Sequence, residues 1–257
     1  MENYQDQVNR FTTVYAPLTE TFVKDIAGVD TVGMPEPFFP VFGRNYASAE
    51  TKIAFVGMET RGYGEMRNFM TDAEESIAKA LLREQSEFDD FAFTEWTTNF
   101  GMDFWSFVMK FLAAFHKVPD WKTVKQGERP EILSSFAWAN INTIERYEVT
   151  AKNKGVKQEN WDLVKRASAA IDRGENILRA LNPQLVVICH WDCDEKWLTD
   201  GLVVEERTDI GDHLLYMKLQ PTGTHVVWTA HPTWLKFNDF DGYVARCVEL
   251  AKSKLAQ

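Results

Sequence analysis

Residues 185–190 read Leu-Val-Val-Ile-Cys-His, an unbroken apolar run that ends in a histidine. A strand with one face in water alternates apolar and polar residues, whereas a strand of a covered parallel sheet is apolar throughout. Three other runs share this character: residues 52–57 (KIAFVG), 136–141 (FAWANI) and 225–229 (HVVWT). The four runs predict four buried parallel strands.

Helical patterns lie between and after these runs. They comprise residues 71–83, which open with the capping-box spacing TDAE, the apolar stretch 104–116, the amphipathic stretch 160–181 and the amphipathic stretch 239–255. The third should end before Asn182-Pro183, because the residue before a proline disfavours helix. Strands alternating with helices form a parallel sheet covered on both faces. We therefore expect an α/β fold, a three-layer domain with a central four-stranded parallel sheet flanked by helices.

Three segments fall outside this simple alternation. Residues 1–50 are expected to form an N-terminal extension packed on the core, which leaves residues 51–257 as the domain itself. The polar and aromatic residues 84–103 are a second addition. Residues 203–219 predict a β-hairpin with its turn around Ile210-Gly211-Asp212.

Composition favours a soluble, cytoplasmic protein of one large domain. No run approaches the ~20 apolar residues of a membrane-spanning helix, and the N-terminus lacks a signal peptide pattern. Three cysteines argue against a disulfide framework. Cys189 and Cys193 flank His190 and Asp192 in the manner of a metal site, but Cys189 ends an apolar run and is expected in the core. We expect no metal and no cofactor.

The net charge of −10 is unfavourable for binding phosphate backbones. One basic face would suffice, however, because a net charge does not describe how charges are distributed. Five basic residues could supply such a face around one cleft: Arg61, Arg67, Lys152, Lys154 and Lys236.

Ligands of parallel α/β sheets bind at the carboxyl ends of the strands, so the residues after each run are functional candidates. The first run is followed by residues 57–64 (GMETRGYG), in which glycines allow close backbone approach and Glu59 either projects into the crevice or lies in a surface loop.

Asn140 and Asn142 end the second run. An amide presents a donor and an acceptor together, so it either recognises a base edge or stabilises the turn.

The last run leads into His231 and Pro232. A histidine at a strand end can donate a hydrogen bond to developing negative charge. We expect Trp234 and Leu235 to be exposed there beside Lys236. Two exposed apolar side chains would form a wedge that enters a base stack, with the lysine contacting a phosphate.

This order of strand-end residues resembles the uracil-DNA glycosylase superfamily. Its members pair a Gly-x-(Asp/Asn/Glu) loop after the first strand with a His-Pro-Ser-type loop after the last. Residues 181–187 (LNPQLVV) are also similar to the family's entry into its third strand. The resemblance extends from about residue 50 to the C-terminus, and the His-Pro loop is its most specific element.

The resemblance implies a catalytic pair. Glu59 would position the attacking water and stabilise a cationic sugar, and His231 would stabilise negative charge on the departing base. Asn140 would read the edge of the extruded base, with Asn142 as the other candidate. Phe100, in the segment 94–105 (TEWTTNFGMDFW), would stack on the base, although core packing explains it equally well.

The resemblance also implies contacts around the base and the strand. Met58, Arg61 and Tyr63 of the first loop would contact the substrate. Trp234, Leu235 and Lys236 would contact DNA, with Leu235 at the family's intercalating position. The expected protein is a monomer that binds DNA, does not bind membranes and extrudes its target base.

The first loop departs from the family pattern, since Thr60 and Arg61 follow Glu59 where many relatives have Pro-Gly or Pro-Tyr. We therefore expect the substrate base to be a modified pyrimidine, including bulky bases such as those of some phage DNAs in a defence role, with uracil as second choice. Three cysteines do not make the iron–sulfur cluster of some members. Two other functions remain open: a non-catalytic nucleic-acid-binding protein of the same fold, and a small-molecule nucleotide hydrolase, which the acidic charge favours.

Overall fold

A seven-stranded mixed sheet forms the centre of the protein in the computed structural model, which describes residues 2–58, 60, 63–90, 102–145, 155–235 and 239–257. The strands are β1 (Val41–Phe42), β2 (Ile53–Gly57), β3 (Phe136–Asn140), β4 (Leu185–Ile188), β5 (Val203–Gly211), β6 (Leu214–Gln220) and β7 (Thr224–Trp228). Their spatial order is β1-β3-β2-β4-β7-β6-β5.

The four apolar runs form the parallel centre of this sheet. β2 pairs in parallel with β3 on one side and with β4 on the other, and β4 pairs in parallel with β7. All residues of β2, β3 and β4 are buried. The expected parallel sheet is confirmed, and its burial on both faces explains why these strands are continuously apolar.

The expected strand count of four is wrong, because antiparallel strands extend the sheet at both edges. The predicted hairpin is confirmed as β5 and β6, with Asp212 and His213 between them, and β6 pairs with β7. At the other edge β1 pairs with β3. There the amide of Gln85 accepts from Phe42 N–H (3.0 Å) and donates to Phe42 C=O (2.6 Å), as a neighbouring strand would.

Helices cover both faces of the sheet. In the described part of the chain they are α1 (Tyr4–Asp25), α2 (Met66–Glu75), α3 (Ile77–Asp90), α4 (Met102–Phe115), α5 (Trp121–Lys125), α6 (Pro130–Leu133), α7 (Gln158–Ser168), α8 (Gly174–Leu181), α9 (Lys196–Thr199), α10 (Pro232–Leu235) and α11 (Phe240–Leu255). Successive strand residues point to opposite faces. Phe55 and Val187 therefore pack with α4 and α11, while Val56 and Ile188 pack with α1 and α8.

The first helix of residues 1–50 belongs to one of these two layers. α1 begins with a capping box between Asn3 and Asp6, and it buries Phe11 and Phe22 in the same cluster as Val56 of β2. The N-terminal segment thus shares a hydrophobic core with the sheet.

Two predicted helices are interrupted. The helix expected over residues 71–83 begins at Met66 and breaks at Ser76, whose φ of −167° is extended. Thr71 therefore lies inside α2, where its hydroxyl donates to the Arg67 carbonyl (3.0 Å), and it does not cap a helix. The helix expected over residues 160–181 is divided into α7 and α8. α8 begins at Gly174, where glycine is required because a Cβ would lie 2.8 Å from the Trp197 carbonyl oxygen.

Other expectations about helices and core residues are confirmed. α8 ends at Asn182, which takes the left-handed conformation (φ 47°) before Pro183. α11 follows the N-cap Asp239 and buries Cys247, and Cys189 is 1% exposed in the core. Among the described residues, none of the helices is both long enough and apolar enough to cross a bilayer.

Candidate active site

Gly57 and Asn140 end two neighbouring parallel strands at the carboxyl edge of the sheet, where they are directly paired. A Cβ on Gly57 would lie 2.9 Å from the amide of Asn140 and 3.4 Å from the ring of Phe104. Ordinary Cβ contacts are longer, so only glycine permits this approach. The absence of a Cβ at Gly57 therefore allows the Asn140 amide and the Phe104 ring to lie close together at the strand ends.

The Asn140 side chain is anchored by Thr60 of the first loop. In the amide orientation that satisfies its neighbours, Oδ1 accepts from Thr60 Oγ1 (2.7 Å) and from Thr60 N–H (3.2 Å), while Nδ2 donates to the Ala139 carbonyl (3.1 Å). An amide nitrogen carries two N–H groups. Within the described part of the chain, one N–H of Asn140 remains for a ligand, whereas its acceptor is already used.

Asn142 lies two residues further on, in the loop after β3, and is 7% exposed. Its backbone N–H donates to the Met58 carbonyl (2.9 Å), which extends the β2–β3 ladder beyond the strands. Its side-chain amide forms no hydrogen bond with another described residue, in contrast to that of Asn140. Since buried amides are normally paired, Asn142 is the better candidate for reading a base edge with both a donor and an acceptor.

The loop that carries Asn142 is held by a buried carboxylate. Asp172 Oδ1 accepts from Thr143 N–H (2.7 Å), and Asp172 Oδ2 accepts from Ser168 Oγ (3.0 Å). On the opposite side, the Thr143 carbonyl accepts from Phe38 N–H (2.8 Å). These bonds fix the direction in which the chain leaves β3.

An aromatic cluster borders the Asn140 side of this edge. Trp138 lies 4.3 Å from Phe38, 4.9 Å from Trp105 and 6.1 Å from Phe104, measured between ring centroids. Tyr63 of the first loop contacts the ring of Phe38 edge-on at 5.3 Å. Phe104 is only partly buried, so its ring can still contact a ligand beside Asn140. Tyr63 is thus near the site, one aromatic ring removed from Trp138.

His231 follows β7 with a defined hydrogen-bonding pattern. The backbone N–H of Thr233 donates to His231 Nδ1 (3.2 Å). Nδ1 is therefore an acceptor, and the neutral ring carries its hydrogen on Nε2. This tautomer can donate a hydrogen bond without bearing a positive charge.

His190 ends the run of β4 and was not among the expected site residues. Its ring is perpendicular to that of His231, with centroids 5.8 Å apart. Burial lowers the pKa of His190, and nearby Asp192 only partly opposes this effect, so the ring is neutral at neutral pH. Its Nδ1 is buried and has no hydrogen-bond partner among the described residues.

The expected exposure of Leu235 is wrong. Leu235 is 0% exposed and packs in the core cluster that contains Phe107 and Val244. The short helix α10 rotates successive side chains by about 100°, so Trp234 points outward and is 42% exposed while its neighbour is buried. Leu235 cannot intercalate from this position, and among the described residues of the His-Pro loop Trp234 is the exposed large apolar side chain.

Several predicted residues lie outside the described part of the chain: Glu59, Arg61, Phe100, Lys236, Lys152 and Lys154. Of the expected basic face, Arg67 is described, and it is exposed and paired with Glu65 at 3.6 Å. Met58 is partly buried at the end of β2. Within the described ranges, no three His, Cys, Asp or Glu residues are grouped so as to hold a metal ion.

The structure therefore brings Asn140, Asn142 and His231 to one edge of the sheet and adds Phe104 and His190. The strand-end rule that selected His231 applies equally to His190. Phe104 is four residues beyond Phe100 in the aromatic segment, and only its distance from Gly57 distinguishes it. No protein-family model matches the chain, and a search of curated proteins finds no match.

Proposed function

We propose that the protein hydrolyses the N-glycosidic bond of an extruded DNA base, a modified pyrimidine or uracil, and leaves an abasic site. The observation that carries this proposal is the hydrogen bond from Thr233 N–H to His231 Nδ1, which sets a neutral donor at Nε2. The same sheet edge holds the amide of Asn142 and the ring of Phe104.

Breaking a glycosidic bond places negative charge on the leaving base and positive charge on the sugar. A preorganised donor such as His231 Nε2–H stabilises the base anion as it forms. Glu59, one residue beyond Met58, would supply the carboxylate on the sugar side.

The base would lie between an amide and an aromatic ring. Phe104 would stack on its face, while Asn142 would pair with its edge through one donor and one acceptor. Gly57 allows this arrangement because it leaves the space beside Asn140 and Phe104 free of a Cβ. Selectivity among pyrimidines would then depend on the first loop, residues 58–64.

The test uses labelled duplex and single-stranded DNA that carries uracil or one of a panel of modified pyrimidines, followed by alkaline cleavage of abasic sites. We expect strand breaks with the native protein, loss of breaks with Glu59→Gln, and a decrease of about 10²–10³ in kcat with His231→Ala. The matched control is His225→Gln, because His225 lies on the same strand at its other end, bonded to Tyr216. Absence of breaks on every substrate would refute the proposal.

A second candidate is hydrolysis of the same bond in a free nucleotide, which the net charge of −10 favours because such an enzyme needs no basic face. Base release from mononucleotides is therefore measured in parallel. Faster release from the mononucleotide than from DNA of the same base would assign the site to the smaller substrate.

A further inference from the structure

Three aromatic side chains from three separate segments form a row beside the candidate active site. The ring of His213 lies 5.1 Å from that of Trp191, edge-on at 85°, and 5.1 Å from that of Trp234, tilted at 59°. Trp191 follows β4, His213 lies in the β5–β6 turn and Trp234 lies in α10. His213 and Trp234 are exposed, and Trp191 is partly buried.

The row is held to the scaffold of the site by hydrogen bonds. The Tyr243 hydroxyl donates to the His213 carbonyl (2.7 Å) and accepts from Ala230 N–H (2.9 Å), one residue before His231. The carboxylate of Asp212 pairs with Arg246 of α11 at 2.9 Å. The turn of the hairpin is thereby attached to the end of β7.

Each end of the row is close in sequence to a histidine of the site. Trp191 directly follows His190, and Trp234 is three residues beyond His231. The carbonyl of His190 accepts from Trp228 Nε1 (2.7 Å), which orients the chain as it enters Trp191. A nucleotide strand whose target base is bound at the histidines would therefore pass over the row.

The chemistry of the row suits nucleobases better than phosphates. Aromatic faces stack with any base and need no positive charge. The carboxylate of Asp192 is exposed next to the row, and it would repel a phosphate. This mode of contact is also compatible with a net charge of −10.

We infer that Trp191, His213 and Trp234 form a stacking platform for the unpaired bases that flank the extruded nucleotide. This inference rests on the proposed function, since it assumes a DNA strand at the histidines. The hairpin turn, an element outside the parallel centre of the sheet, thus contributes to nucleic-acid binding. Binding through the platform depends on the bases and only weakly on salt, because few counterions are released.

The experiment measures fluorescence anisotropy of a labelled single-stranded oligothymidylate of about ten nucleotides, within the usual site size of single-strand binding modules. A strand of equal length without bases serves as the second probe. We expect Trp234→Ala and His213→Ala each to weaken binding of the oligothymidylate by about tenfold, a change of about 1.4 kcal/mol. Trp234→Phe retains most of the affinity, because the aromatic face remains.

Ile210→Ala is the matched control, because Ile210 is 48% exposed on the same hairpin but outside the row. Its affinity should equal that of the native protein. Equal binding of the two probes by the native protein, or native affinity in both Trp234→Ala and His213→Ala, would overturn the platform.

The platform and the proposed function fail in different measurements. If the native protein releases the base and the platform variants bind and react normally, the proposed function is supported and the platform is refuted. If binding depends on the bases and weakens in these variants, but no substrate releases its base, the platform is supported and the proposed function is refuted.

Discussion

Replacing Tyr243 by phenylalanine should reduce both stability and the order of the hairpin turn. The hydroxyl of Tyr243 joins Ala230 N–H to the His213 carbonyl, at 2.9 Å and 2.7 Å. Burial raises the pKa of this hydroxyl, so it stays protonated and continues to donate across the accessible pH range. Phenylalanine preserves the ring and its packing and removes only these two bonds.

The expected magnitude depends on which of the two partners can be rehydrated. His213 is exposed, so water replaces the lost donor at its carbonyl at little cost. Ala230 is 2% exposed, and its N–H would be buried without a partner, which costs about 1–3 kcal/mol. We therefore expect the free energy of unfolding to fall by about 2 kcal/mol.

Urea denaturation measures this loss, and amide hydrogen exchange over residues 210–214 measures the release of the turn. Tyr216→Phe is the control: it removes a hydroxyl that bonds His225 Nδ1 at 2.8 Å, and we expect it to leave exchange at the turn unchanged. Native stability in Tyr243→Phe together with unchanged exchange would refute the role assigned to this hydroxyl.

Three further predictions concern the sheet edge. Gly57→Ala should displace the amide of Asn140, which would meet the new Cβ at 2.9 Å, and lower kcat/KM for base release by about tenfold or more; unchanged steady-state kinetics would contradict this. Leu235→Ala should lower the free energy of unfolding by about 2–5 kcal/mol, because Leu235 is buried, whereas Trp234→Ala should lower it far less, because Trp234 is exposed. Equal losses in urea denaturation would instead support the interpretation of both residues as an exposed wedge. Burial lowers the pKa of His190 below its usual value of 6.5 in the folded protein. Below pH 6.5 the unfolded chain therefore binds a proton at this residue more readily than the folded chain does, so the free energy of unfolding falls as the pH falls. His190→Gln should flatten this decline as the pH falls through 6.5 in urea titrations, and an unaltered decline would contradict it.

Local patterns were sufficient where neighbours in sequence decide the structure. Continuous apolar runs predict strands because a covered parallel strand has no wet face, and α8 stops at Asn182 because Pro183 cannot continue it. The same reasoning predicted His231 at a strand end. The physical rule applies equally to His190, which follows Cys189 at the end of another apolar run.

Contacts between distant segments decided the rest. Position 174 requires glycine because the Trp197 carbonyl lies against it, and Leu235 is buried because α10 packs on α4 in a cluster that also contains Val244 of α11. Neither fact has a local signal, since both depend on which element lies opposite.

The amino-acid sequence alone predicts the parallel α/β centre, the hairpin, and the positions of the amides and His231 at strand ends. These depend on hydrophobic periodicity and on the direction of parallel strands, which are properties of each segment. Only the tertiary structure distinguishes Asn142 from Asn140, fixes the tautomer of His231, and brings Trp191 and Trp234 against the same side chain, His213. Such features arise from hydrogen bonds and packing between residues far apart in the chain, and periodicity carries no information about those contacts.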